Sequence, residues 1–214
     1  MIRLEYPLRD VTHLRFENRG LMSLALVRMQ EHAENILFRG KTFTLTELIE
    51  ESTLKLGEFD QLGTTYGVNF PASILPHFLE GQFDPLLGLE RQVLDLLKNI
   101  DFEKGYVIAT FRNEELEHEL AHAMWHIDSE YREDAEILLR GFNGRDRKRV
   151  EDYLKRYTYT PECWENEINA YFVEGKIGTF NLAKLKESRP FRKLFQVCLE
   201  KHRNGHNSAG NGRH

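Results

Sequence analysis

Glu114-Glu115-Leu116-Glu117-His118-Glu119-Leu120-Ala121-His122-Ala123-Met124-Trp125-His126 is the run around which the chain is organised. Its centre reads H-E-x-x-H, and no Gly or Pro interrupts positions 113 to 130. On an α-helix, residues four apart lie one above the other, about 6 Å along the axis. His118 and His122 can therefore converge on one metal ion, with Zn–N bonds of about 2.0–2.1 Å. Glu119 stays off the metal in this motif and serves as general base toward a metal-bound water. Leu116, Leu120, Ala123 and Met124 supply the helix with a packing face. The motif fixes only three positions, so its surroundings decide its meaning.

Immediately upstream, Tyr106-Val107-Ile108-Ala109-Thr110-Phe111 is an apolar, β-branched run bounded by Gly105 and Asn113, which reads as a strand. At a sheet edge, such a strand could accept an extended peptide by strand addition. Further upstream, apolar positions from Leu21 to Phe38 and a capping box, Thr44-Leu45-Thr46-Glu47, predict a helical pair ending at Gly57. Early strands around Leu4 or Leu14-Arg15-Phe16 are compatible with residues 1–17. His32, alone on the first helix, reads as a packing or surface residue. Residues 57–84 are rich in turn formers and hold Pro71 and Pro76, which predicts an irregular loop. Asp84-Pro85 reads as N-cap and first position of a helix running to about Asn99.

Downstream, two helices are expected at about 130–141 and 147–157, split by Gly141-Phe142-Asn143-Gly144. The basic cluster Arg145-Asp146-Arg147-Lys148-Arg149 begins the second of them as a solvated helix end. Thr160-Pro161 opens a helix through Phe172, and a last helix spans about 182–199 with an interruption near Pro190. Residues 201–214 lack apolar periodicity and are expected to be a disordered tail, its histidines without function. The expected organisation is a single domain over 1–200, with a helical part at 1–56, the 57–84 loop and a catalytic part at 85–200. The fold class is α+β, predominantly helical.

Composition narrows the function classes. The chain has 214 residues, 41% hydrophobic and 29% charged, enough for a sizeable core. Mean hydropathy is −0.53, and no apolar run approaches the roughly 20 residues that span a bilayer. The N-terminal stretch carries Glu5 and Pro7 where a signal peptide needs an apolar segment. Two cysteines, Cys163 and Cys198, are too few for a disulfide framework. A cytoplasmic protein without a membrane or nucleic-acid partner is expected. A net charge of −5 lacks the clustered Lys and Arg that phosphate contacts require. Oligomeric state is not legible.

A catalytic zinc needs three protein ligands and an open position. His126 lies about 12 Å along the axis from His118, too far for the same ion on a straight helix. Asp128 occupies a known third-ligand spacing, yet Trp125 stands where that motif needs a chain-reversing glycine. Cys163 reads as a small buried hydrophobe. The helix after Pro161 offers Glu167, flanked by Trp164 and Tyr171 for packing and by Ala170 for close approach; Glu165 is second choice and Glu162 third.

His118-Glu119-Leu120-Ala121-His122 followed by Glu167-Ile168-Asn169-Ala170-Tyr171 resembles the gluzincin metallopeptidases, over roughly residues 106–172. The resemblance implies a zincin-like fold, with a small sheet next to the H-E-x-x-H helix and a second helix carrying the glutamate ligand. It implies Zn2+ held by His118, His122 and Glu167, with Glu119 as general base and a peptide or protein as substrate. Many members carry an Asp four residues after the ligand Glu, where this chain has Tyr171. Tyr171, Tyr157, Tyr159 and His126 are chemically suited to stabilise an oxyanion, and Tyr171 is the candidate taken forward. A peptidase in the cytoplasm needs restraint, and the N-terminal part or the 57–84 loop is expected to narrow access. Two rival readings stand beside this one. Glu115-x-x-His118 and Glu119-x-x-His122 also suit a di-iron carboxylate protein, and the motif could be a fortuitous or decayed feature of a helical interaction protein.

Overall fold

The structure is a computed structural model and describes residues 1–35, 37–56, 67–142, 144–156, 161–177, 182 and 188–210. It is α+β and 63% helical, with one four-stranded sheet. The chain divides into two compact units, Met1–Glu114 and Glu115–His214, where the sequence suggested one domain. The division falls at the entry to the H-E-x-x-H helix, in a turn where Arg112 and Glu115 take left-handed backbone angles (φ 58° and 57°).

The first unit is built on strands β1 (Ile2–Leu8), β2 (Val11–Phe16), β3 (Gly67–Pro71) and β4 (Tyr106–Phe111), in the order β1-β2-β4-β3. β1 pairs antiparallel with β2, β2 parallel with β4, and β3 antiparallel with β4. Successive side chains on a strand point to opposite faces. Ile2, Leu4, Leu14, Phe16, Val68, Phe70, Val107 and Ala109 accordingly share one apolar face with Met22, Leu26 and Met29 of helix α1 (Arg19–Glu34). The opposite face pairs polar groups among themselves: His13 Nε2 with Thr110 Oγ1 at 2.9 Å, and the Tyr106 hydroxyl donating to Asn69 Oδ1. β4 is interior, bonded on both sides, so it has no free edge for strand addition; β1 and β3 are the edges.

Helix α2 (Leu45–Leu56) begins at the expected capping box, with Thr44 N–H donating to Glu47 and Glu47 N–H to Thr44 Oγ1. Gly57 and residues 58–66 lie outside the described residues. His32 is buried, its Nδ1 2.9 Å from the Lys41 carbonyl and its ring against Phe78 and Phe83, which makes it a packing residue.

Three expectations for this unit need correction. Residues 2–16, inside the part expected to be helical, form a strand pair; the early strand expected around Leu4 or Leu14-Arg15-Phe16 is present at both places. Their charged residues Arg3, Glu5 and Arg15 alternate with the inward Leu4, Leu14 and Phe16, a period of two masked by the mixed composition. Residues 67–79 are regular: β3, a 3-10 turn (Ala72–Ile74) and helix α3 (Leu75–Leu79). Pro71 ends an edge strand and Pro76 sits in the first turn of a helix, the two places where a proline costs no hydrogen bond. Finally, helix α4 (Gly88–Leu97) starts three residues after Pro85. Glu90 folds back to accept from the Leu87 N–H at 2.7 Å, and its carboxylate also takes the buried Arg28 guanidinium from α1.

The second unit is helical over its described residues: α5 (Leu116–Ile127), α6 (Ser129–Gly141), α7 (Arg145–Arg156), a 3-10 turn (Pro161–Cys163), α8 (Trp164–Glu174) and α9 (Ser188–Gly210). Its core contains Leu139, Phe142, Val150, Leu154, Ile168, Phe172 and Phe191, with the Phe172 and Phe191 rings stacked. Asp128 ends α5 and caps α6, accepting from the Tyr131 N–H at 3.0 Å. The expectation of a disordered tail is also corrected for residues 201–210, since α9 continues to Gly210, while residues 211–214 lie outside the described residues. His202 Nε2 meets Asp128 Oδ2 at 2.8 Å and Lys201 meets Glu130 at 2.9 Å, tertiary anchors that a hydropathy pattern does not register.

Candidate metal centre

α5 begins at Leu116, later than the sequence suggested, because Glu115 takes a left-handed conformation that a non-glycine residue adopts rarely. From there Leu120, Ala121, Ala123 and Met124 are buried. His118, Glu119 and His122 lie on that inward side, 7%, 3% and 2% exposed. α8 packs against α5. Ile168, Ala170, Phe172 and Val173 are its buried apolar residues, and Glu167 among them is 8% exposed. Ala170, one turn after Glu167, keeps the bulk of that face low. Gly175 (φ 84°) ends the helix.

His118, His122 and Glu167 therefore meet. His118 Nε2 and His122 Nε2 are 3.1 Å apart, Glu167 Oε2 is 3.8 Å from the first, and Glu167 Oε1 is 3.7 Å from the second. Among the described residues this is the one group of His, Cys, Asp and Glu arranged to hold a metal ion, with candidate ligand atoms within 4.8 Å of one another. Ligands bound tetrahedrally at about 2.0–2.1 Å stand about 3.3 Å apart, so the carboxylate needs only a small approach and the two imidazoles a slight opening.

Buried polar atoms normally have partners. Of six that lack a hydrogen bond among the described residues, Glu167 Oε2 faces the two Nε2 atoms, while His118 Nδ1 and His122 Nδ1 lie on the far side of their rings from that point. Two imidazole nitrogens facing each other and a carboxylate oxygen without a donor form a donor set that suits a cation at their centre.

The electrostatics point the same way. Burial disfavours a charged His118, but the carboxylates of Glu174, Glu119 and Glu167 overcome it and lift its pKa to about 9. Burial and the neighbouring His118 hold His122 well below the ordinary histidine range, with the Asn166 side chain opposing them. Burial raises Glu167 to about 7; His118 pulls it down and Glu115 pushes it up. Three carboxylates around a buried imidazole are a field that a divalent cation relieves.

Tyr171 lies with its ring against His118, centroids 4.7 Å apart at 64°, and Tyr153 packs on Tyr171. Tyr157 and Tyr159 lie outside the described residues. The other third-ligand candidates are not in the group. Glu165 and Glu162 are exposed on the first turns of their elements, and Cys163 is half-buried. Asp128 is engaged by Tyr131 and His202. His126 is exposed, one turn beyond His122.

One neighbour was not found from sequence. Glu174 places Oε2 3.4 Å from His118 Nδ1. It stands seven residues after Glu167, two helical turns on, and only a helix known to continue to Gly175 brings it to the same face. No protein-family model, curated protein or solved structure matches the chain.

Proposed function

We propose that this protein is a zinc-dependent hydrolase of the gluzincin type, cutting a peptide bond, with His118, His122 and Glu167 as metal ligands. The observation that carries the reading is the buried convergence of two Nε2 atoms and one carboxylate, from two packed helices, with the carboxylate oxygen Glu167 Oε2 lacking a hydrogen bond. Three protein ligands of N, N and O type are the set used by catalytic rather than structural zinc. Bound there, Zn2+ supplies Lewis acidity for the scissile carbonyl and lowers the pKa of water toward about 7.

Glu119 is buried beside His118 on the same helix, and its charge acts on that imidazole. In the proposed reaction it accepts the proton of the attacking water and delivers it to the leaving amine. Tyr171 is the proposed donor for the developing oxyanion, being the tyrosine packed on a ligand ring. The likeness to a zincin rests on these residues and on the predominantly helical α+β architecture.

The test is cleavage of a peptide library by the Zn2+-loaded protein and by Glu119→Gln. The expected result is a loss of about 10²–10⁴-fold in rate with metal content unchanged, because the carboxamide cannot act as base. Equal cleavage by both proteins, or none by wild type across the library, would overturn the reading. The di-iron alternative needs a second group of inward carboxylates and histidines, and none is found among the described residues.

A further inference from the structure

His118 directs Nε2 toward His122 and Glu167, which leaves Nδ1 on the other side of the ring. Nδ1 is buried and makes no hydrogen bond within normal geometry. The group it faces is Glu174 Oε2 at 3.4 Å, a carboxylate whose side chain is 10% exposed. The other Glu174 oxygen, Oε1, is 2.9 Å from Lys176 Nζ, on a side chain 57% exposed. Gly175 turns the chain out of the helix between them at φ 84°. A line of groups thus runs from the protein surface to the candidate metal: ammonium, carboxylate, imidazole.

We propose that Glu174, held by Lys176, is the positioning residue for His118. It takes the Nδ1–H of the imidazole, which fixes the tautomer whose Nε2 lone pair faces the ion and sets the angle of the ring. This rests on the metal reading given above. A neutral imidazole carries its proton on one nitrogen only, so an acceptor at Nδ1 decides which nitrogen is free to ligate. Lys176 acts one step back, by occupying Oε1 and restricting the carboxylate to the rotamer that presents Oε2. α8 then provides a metal ligand and the support for another ligand from one face. A simple ion pair at a helix end would use the same Glu174 and Lys176 but would leave the metal unaffected.

The experiment is Co2+ titration of the full chain, read by d–d absorption, for wild type, Glu174→Gln, Glu174→Ala and Lys176→Met. Losing a group that orients a ligand histidine typically weakens metal binding by about 10–100-fold. That loss is expected for Glu174→Ala, with an altered visible spectrum. Glu174→Gln keeps an acceptor of the same shape and should restore part of the affinity, and Lys176→Met should fall between wild type and Glu174→Ala. If Glu174→Ala fails to fold, the isosteric Glu174→Gln still decides the matter: wild-type affinity and spectrum there would overturn the proposal. Co2+ binding by wild type with all three variants unchanged would overturn the positioning role and leave the metal reading intact. No Co2+ uptake by wild type would overturn both.

Discussion

On the metal reading proposed above, two protonated groups compete with the ion and set its pH dependence. Glu167 is lifted to about 7 by burial, and His118 to about 9 by the carboxylates around it. Both hold their protons to higher pH than an unfolded chain would, and both must release them before they can ligate. Affinity for Zn2+ should therefore be weakest near pH 6 and strengthen through 7 toward 9, by about tenfold per pH unit for each proton released. Competition against a chromophoric chelator measures this directly, and a dissociation constant flat from pH 6 to 8 would contradict it. At this scale the meeting of His118, His122 and Glu167 was legible in the sequence, because H-E-x-x-H places two histidines on one helical face and because Trp164, Ala170 and Tyr171 mark the face of Glu167. Glu174 was not legible. Its place depends on where α8 ends, and the glycine that ends it gives no sign of what faces the preceding side chain.

The elements divide into those written in local chemistry and those decided by tertiary contact. β4 was legible because five buried positions in a row demand an apolar, β-branched run. α2 was legible because its capping box is local. The strands β1 and β2 were legible in part, around Leu4 or Leu14-Arg15-Phe16, with the charges on their outward positions obscuring the pairing, and the continuation of α9 depends on Asp128 and Glu130, which lie more than seventy residues earlier. Two substitutions separate these elements from the site. Arg28 donates to both Glu90 and the Phe83 carbonyl in the first unit, nearly without exposure. Arg28→Met would leave the Glu90 carboxylate buried without its cation, keeping only the Leu87 N–H, and should cost about 3–5 kcal/mol in denaturant unfolding, with metal stoichiometry unchanged. Asp128→Ala removes the cap of α6 and the anchor of α9, and should cost about 1–2 kcal/mol from the cap alone. The Asp128 carboxyl is held below its ordinary range, since Tyr131 N–H and His202 outweigh its burial. Its contribution is therefore present above the ordinary aspartate pKa and lost as pH falls through the depressed value. An Asp128→Ala penalty that stayed constant down to pH 2 would contradict that assignment.

At the scale of the whole molecule, every candidate ligand and every group shown beside one among the described residues lies in the unit Glu115–His214. A ligand that binds only the folded state stabilises it by mass action, about 2.7 kcal/mol at one hundred times its dissociation constant. Chelation should therefore reduce hydrogen-exchange protection in α5 and α8 first, while the amides of β1, β2, β4 and α1 keep theirs. Uniform loss over both units would show that the metal acts elsewhere than at the two-helix site. The sequence did not reveal the division at residue 114, because nothing in its composition changes there; the boundary lies in two left-handed residues, Arg112 and Glu115, of types that rarely adopt that conformation. No helix is long and apolar enough to cross a membrane among the described residues.

The central claim is that His118, His122 and Glu167 together hold one metal ion, and elemental analysis of the purified protein tests it most directly, with His122→Ala and Glu167→Ala alongside. The expected result is about one zinc per chain in wild type, the stoichiometry of a single three-ligand site, and its loss in both variants. Zinc retained by Glu167→Ala, or none bound by wild type after reconstitution, would contradict it.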